Sequence, residues 1–196
     1  ERYGLEGRFK FLYVGRVSRE KDLEFLVEVF KSLSLATPQV SLVVVGEGPY
    51  LDEMKDTLRG WPAIFTGYLE GDELAEAYAS CDLFVFPSTT DTFGNVVLEA
   101  QASGLPVVVT DVGGPQENLI QGKTGWIIPA YDLPAFVQAI RTLVSDKVRL
   151  KTMSRAARSY MEKRSFETSF DESWQFQWGE SQKVSQDEPC TFARAS

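Results

Sequence analysis

Histidine is absent from this 196-residue chain, so no mechanism that needs an imidazole base or ligand can be run by these residues alone. Only two cysteines occur, Cys81 and Cys190, far apart and without metal-ligand spacing. Cys81 precedes an apolar run and reads as a buried thiol, which points to a reducing, cytoplasmic compartment. No uninterrupted apolar stretch approaches the roughly 18 residues that a membrane span needs. No signal peptide is visible, and the chain begins almost at once with a strand, as a domain cut from a longer protein would. Positive charge is in deficit: 20 Lys and Arg against 28 Asp and Glu give a net charge of −8. That balance argues against a nucleic-acid partner, which would want a basic face. What is plentiful is apolar: 43% of residues are hydrophobic, enough for one core of ordinary domain size.

Short apolar runs alternate with helical periodicity along the chain. Strands are expected at 8–14, 40–45, 63–66, 83–86, 106–110 and 125–128. Between them lies a helix carrying Leu23, Leu26, Val27, Phe30 and Leu33, then helices at 51–58 and 72–79, the latter turning Leu74, Ala75 and Tyr78 to the sheet. A helix opened by Gly94 is stopped at Gly104, a short one lies near 116–120, and two more close the domain at 133–144 and 148–161. Strict strand–helix alternation specifies an α/β fold with a doubly wound, parallel, six-stranded Rossmann-like sheet. Residues 1–164 form this domain. Past it, Phe166, Phe170, Trp174 and Trp178 recur every four residues, so 165–178 reads as an amphipathic helix. Residues 179–196 are polar and aperiodic and are expected to be disordered.

The most informative segment is Asp91-Thr-Phe-Gly-Asn-Val-Val-Leu-Glu99. It follows a buried-type strand, where open α/β sheets bind ligands. Gly94 permits close backbone approach, and the amides opening the next helix can meet an anion. A carboxylate just ahead suits sugar hydroxyls rather than phosphate. Val96, Val97 and Ala100 share the sheet-facing side of the helix, and Asn95, Glu99 and Ser103 form a polar stripe. Glu99 could simply face water, but the wholly apolar flanking strands favour a cleft. Other strand ends add Gly15-Arg16 with Lys21, a candidate diphosphate clamp, with Lys21 expected to open the first helix. They also add Gly46-Glu-Gly-Pro49, Gly67-Tyr68 and the Gly113-Gly114 pair, a further candidate for anion-facing amides.

Taken in order, Gly15-Arg16, Glu20-Lys21, Gly46-Glu-Gly-Pro49, Phe86-Pro-Ser88, Asp91 to Glu99, Gly104-Leu-Pro-Val-Val108, Gly113-Gly114 and Gly122-Lys-Thr-Gly125 resemble the motifs of family 4, group 1 retaining glycosyltransferases. The chain is similar, over roughly residues 8–162, to the C-terminal, donor-binding half of their GT-B fold. The resemblance implies a donor site for a nucleotide-diphosphate sugar. In it Arg16 and Lys21 bind the diphosphate, Gly15, Gly46 and Val96 also belong to the donor site, and the Gly67-Tyr68 turn meets the base. Asp91 with the amides of Phe93, Gly94 and Asn95 holds the transferred sugar, and Glu99 holds the ribose. Asp91 and Glu99 would be the two carboxylates of the family's E-x7-E element, the first shorter here by a methylene. No metal or cofactor is implied. The implied partner is an N-terminal acceptor domain of the same enzyme, through which a peripheral membrane acceptor could be served. An epimerase of GT-B architecture or a non-catalytic nucleotide-binding module are the competing readings. A receiver domain is excluded because Val14-Gly-Arg16 supplies no acidic cluster at the first strand end.

Overall fold

The computed structural model describes residues 7–164, of which those up to Met161 form one compact unit. The apolar stripe expected over 165–178 and the tail beyond it lie outside the described residues.

Six parallel strands form one sheet in the order β3-β2-β1-β4-β5-β6. They are β1 (Phe9–Val14), β2 (Val40–Val45), β3 (Ala63–Gly67), β4 (Leu83–Phe86), β5 (Val107–Thr110) and β6 (Gly125–Ile128). Strand β2, Val-Ser-Leu-Val-Val-Val, is buried at every position, as are β4 and β5. A continuous β-branched and apolar run of this kind needs cover on both faces, and a parallel sheet with crossover helices supplies it. The outermost strand β3 is only half-buried throughout.

Helices α1 (Leu23–Ala36), α2 (Leu51–Thr57), α3 (Gly71–Ala79), α4 (Asn95–Ala102), α5 (Leu133–Ser145) and α6 (Lys147–Glu162) connect and close the sheet. On one face α1 packs against α5, with Phe25 edge-on to Phe136 at 5.2 Å and Phe30 edge-on to Phe11 of β1 at 5.6 Å. Right-handed crossovers place α3 and α4 on the other face, where Tyr78 of α3 lies 6.1 Å from Phe84 of β4. The core is aromatic at its centre, with Phe11, Tyr13, Phe30, Phe84 and Phe136 fully buried.

Two details differ from the sequence reading. Ala75 is exposed, and Ala77 packs against the core beside Leu74 and Tyr78 instead. In so short an alanine-rich helix, several faces satisfy the periodicity, and the bulky Tyr78 decides which one turns inward. The second difference concerns Lys21. It does not open α1 but closes a three-residue 3-10 turn, Arg19–Lys21, one residue before the Asp22 N-cap.

Candidate functional site

The sheet order makes β1 and β4 neighbours whose onward connections run in opposite directions. This is the switch point where the two connecting loops part and leave a crevice at the carboxyl ends of the strands. Two adjoining cavities occupy it. The first, about 270 Å³, is walled by Gly15, Arg16, Lys21, Asp91 and the stretch from Phe93 to Val96. The second, about 440 Å³, reaches toward β2 and β3 and meets Gly46, Tyr68, Leu74 and Glu99. Val14, Gly15, Arg16 and Val96 border both, so they form one cleft with two lobes. Gly67 lines neither cavity, but its carbonyl accepts the Gly46 N–H at 2.8 Å and so fixes the turn that carries Tyr68.

The first lobe is built from interlocked loops. Lys21 Nζ lies 2.9 Å from Asp91 Oδ2, and both side chains are largely shielded, at 20% and 24% exposure. Asp91 does not cap α4: the N-cap is Gly94, at φ 77°, and no side chain bonds the helix's first amides. The Val97 N–H donates to the Gly94 carbonyl at 2.9 Å, and the residues of the first turn that line the lobe are Asn95 and Val96, whose amides lie at the positive end of the helix. Arg16 reaches Glu20 only at 3.6 Å, and both are exposed, so this contact is weak and leaves the guanidinium available. The Gly113-Gly114 pair does not present a free anion site. The Gly114 N–H donates to the Asp91 carbonyl at 3.0 Å, and a Cβ on Gly114 would stand 1.9 Å from the Thr92 oxygen. The pair is small so that the Asp91–Phe93 backbone can lie against it.

The second lobe depends on a similar close approach. A Cβ on Gly46 would fall 2.0 Å from the Gly15 carbonyl oxygen, and one on Gly48 2.3 Å from that of Val17. With no side chains there, the loops after β1 and β2 continue the ladder beyond the strands, through Gly15 N–H to Val45 O at 3.0 Å and Val17 N–H to Glu47 O at 2.8 Å. Tyr68 presents an exposed ring at the mouth. Glu99, itself exposed, accepts the Tyr78 hydroxyl at 2.9 Å. Burial beside this carboxylate raises the Tyr78 phenol well above its ordinary pKa, so the hydroxyl stays a donor. Of the polar stripe, Asn95 and Ser103 are exposed as well.

Residues 2–160 match the family model described as glycosyl transferases group 1. The chain belongs to this family. It is 42% identical over 157 residues to sulfoquinovosyl transferase SQD2 of Arabidopsis thaliana, covering 78% of this chain and 30% of the relative. Over 148 residues it is 39% identical to a GDP-mannose-dependent alpha-mannosyltransferase of Corynebacterium glutamicum, covering 74% of this chain and 33% of that one. The chain thus spans about a third of the length of these curated relatives. Among solved structures, Anabaena HepE in complex with UDP superposes with a TM-score of 0.79 at 22% identity, covering 91% of this chain and 50% of that one. The catalytic domain of Helicobacter pylori cholesterol-alpha-glucosyltransferase gives 0.72 at 21%, covering 80% and 99%. These likenesses establish the fold, that of a GT-B glycosyltransferase domain.

In this group 1 glycosyl transferase domain, the residue that sequence reasoning passed over is Asp22. It sits at φ 55°, unusual for a residue with a Cβ. Its Oδ2 accepts from Thr89 N–H and Thr89 Oγ1, each at 2.8 Å, and its Oδ1 accepts from Tyr131 at 2.7 Å. Thr90 Oγ1 adds a bond to the Glu20 carbonyl at 2.9 Å. Together they clamp the loop after β1 to the loop after β4 and so set Lys21 beside Asp91. The only sequence signal is an acid next to a candidate lysine, which is common on any surface. Below the Asp91 loop, Asn118 donates to the Phe93 carbonyl, and buried Gln101 donates to the Asn118 carbonyl at 2.6 Å. Cys81, expected to be buried, is partly buried against the core and free; that burial pushes the thiol up to about 12, so it stays protonated and unreactive. Among the described residues no cluster of His, Cys, Asp and Glu could hold a metal, and no helix is long and apolar enough to cross a membrane.

Proposed function

We propose that this chain is the donor-binding half of a family 4 retaining glycosyltransferase, binding a nucleotide-diphosphate sugar. The observation that carries the reading is the two-lobed cleft at the β1/β4 switch point, with Arg16 on the wall common to both lobes. The first lobe joins a lysine, an arginine and the opening amides of α4, which suit a diphosphate. It also holds a carboxylate, Asp91, which suits sugar hydroxyls. The second lobe offers aromatic and aliphatic surface from Tyr68, Leu69 and Leu74, with three carboxylates, Glu47, Glu70 and Glu99, of which Glu99 lies on α4 beside the wall common to both lobes. That combination fits a nucleoside, the ring on the apolar wall and the ribose hydroxyls on Glu99. Lys21 and Arg16 supply the counter-charge for the leaving diphosphate, so the reading needs no metal or other cofactor.

The relatives are about three times as long as the matched segment, which supports an acceptor site on a separate N-terminal domain of the same enzyme. The reading extends to a cytoplasmic enzyme whose acceptor, a membrane lipid included, is held by that domain. Acting alone, this half would bind donor without transferring it, because the reacting carbon stays open to water and no acceptor is positioned.

A thermal-shift panel of UDP, GDP and ADP, each free and as its glucose or mannose conjugate, tests the assignment. One nucleotide should stabilise the domain, and one conjugate of it should do so further. The absence of any shift at millimolar ligand, or robust glycosyl transfer by this chain alone, would overturn the reading.

A further inference from the structure

Behind the second lobe, reaching it only through Glu99, lies a buried polar side chain that the reading above leaves without a task. Tyr78 is 2% exposed, and its ring is held by Phe84 at 6.1 Å. Its hydroxyl emerges from the core only to donate to Glu99 Oε2 at 2.9 Å. Glu99 itself is exposed, on the cleft edge of α4. Left alone, a solvated glutamate samples several rotamers, and fixing it costs entropy at the moment of binding. A rigid phenol anchored in the core removes that freedom beforehand.

We propose that Tyr78 is a positioning residue for the donor site. It fixes Glu99 by one carboxylate oxygen, so that the other faces the second lobe with its lone pairs ready for a pair of vicinal hydroxyls. The neighbours fit this division. Of the groups lining the lobe, Leu69, Leu74 and Val96 are apolar and Glu47 and Glu70 are themselves acids; Arg16 faces Glu20, and the Tyr78 hydroxyl is the donor that meets Glu99. The burial that keeps the phenol protonated makes it a donor at any working pH, so Oε2 is held whether or not ligand is present. The inference rests on Glu99 meeting the ribose.

The test compares Tyr78→Phe, Glu99→Ala and the double variant by calorimetry. The ligands are whichever of UDP, GDP or ADP stabilises the domain, its 2′-deoxy counterpart, and inorganic pyrophosphate. Tyr78→Phe keeps the ring and its packing and should fold, with its melting temperature lowered by no more than the loss of one hydrogen bond. It should weaken the ribonucleotide about three- to tenfold, the range for having to order one free side chain on binding. The deoxynucleotide should lose less, and pyrophosphate nothing. In the Glu99→Ala background the same change should have no further effect. A Tyr78→Phe loss that persists without Glu99, or that falls equally on pyrophosphate, overturns the positioning role. So does an unaltered ribonucleotide affinity in Tyr78→Phe when Glu99→Ala is impaired. If Glu99→Ala itself binds the ribonucleotide normally, the ribose assignment of Glu99 fails first, and the inference falls with it.

Discussion

The two lobes of the cleft share a wall and yet are organised on opposite principles. In the first, the groups suited to a ligand are bonded to one another: Lys21 to Asp91 at 2.9 Å, in a pocket cross-tied by Asp22, Thr89 and Thr90. In the second, the ligand-suited surface is open. Tyr68 is exposed, and Glu99 is held from behind by Tyr78, leaving one oxygen unengaged by that bond. A ligand entering the second lobe meets, at most, the exposed hydrogen bond from Tyr68 to Glu70. One entering the first must separate an ion pair. The nucleoside end should therefore dock against a preformed surface, and the diphosphate and sugar should meet groups that have to exchange partners.

The largest effect should come from filling the space where loops touch. Gly46 has φ 133°, and a Cβ there would lie 2.0 Å from the Gly15 carbonyl oxygen, on the wall common to both lobes. Gly46→Ala should cost about 3 kcal/mol of stability, read by urea denaturation, through backbone strain and forced displacement together. Gly122 is the control. It also has positive φ, at 74°, but a Cβ there would meet nothing within 4 Å. Gly122→Ala should cost only the conformational part, about 1 kcal/mol. Equal costs would mean that the close approach of the loops contributes nothing.

The next effect separates the lobes by charge. Lys21→Ala should weaken a nucleoside diphosphate by about 1–3 kcal/mol, as expected for a lost charge-assisted partner. Its stability should change by less than about 1 kcal/mol, since the Lys21–Asp91 pair is still partly exposed. Arg16→Ala should weaken the same ligand comparably. A free nucleoside, which reaches only the second lobe, should bind the Lys21→Ala variant as it binds the parent. Calorimetry with nucleoside and diphosphate in parallel distinguishes these outcomes, and a diphosphate indifferent to both variants would move the anion site elsewhere.

A third effect concerns the clamp between the loops. Asp22→Ala removes three hydrogen bonds and keeps a Cβ at φ 55°. It should lose about 1–3 kcal/mol of stability. Asp22→Gly relieves the backbone and should recover part of that loss. Both should weaken diphosphate more than nucleoside, because Lys21 is the next residue. Identical stability in the two variants would show that the left-handed conformation carries no strain.

How much of this was legible follows from where each signal resides. The strands were readable almost to the residue because apolar runs such as Leu83–Phe86 are bounded by turn residues, and their alternation with helices fixes parallel winding. The candidate residues could be collected because each follows a strand, and a parallel sheet brings all such loops to one edge. What the chain did not disclose is who touches whom across that edge. Lys21 and Asp91 are 70 residues apart, and the order in which β1 and β4 neighbour each other decides that they meet. Gly113-Gly114 read as a possible anion cradle because glycine announces permitted approach without naming what approaches; here it is the Asp91–Phe93 backbone. Asp22 was invisible since its importance lies in one backbone angle and in partners 67 and 109 residues away.

The smallest effect is also the most discriminating, because its sign differs between ligands. If Asp91 touched only the transferred sugar, as the sequence pattern alone suggests, Asp91→Asn would leave the free diphosphate unaffected. The ion pair changes that expectation. Asparagine still accepts a hydrogen bond but no longer holds Lys21 by charge, so the ammonium is released toward an incoming anion. Free diphosphate should then bind slightly more tightly, by at most about 1 kcal/mol, the usual ceiling for a partly exposed pair. The sugar-bearing donor should bind more weakly, since a neutral amide replaces a charged acceptor for its hydroxyls. Raising ionic strength should shrink the gain for the diphosphate, because the pair being broken is itself screened. Titrating both ligands against parent and variant at low and moderate salt measures all of these changes. Losses of equal size for the two ligands would show that Asp91 serves the loop rather than the sugar. No change for either would place both the sugar and the diphosphate away from the Lys21–Asp91 pair.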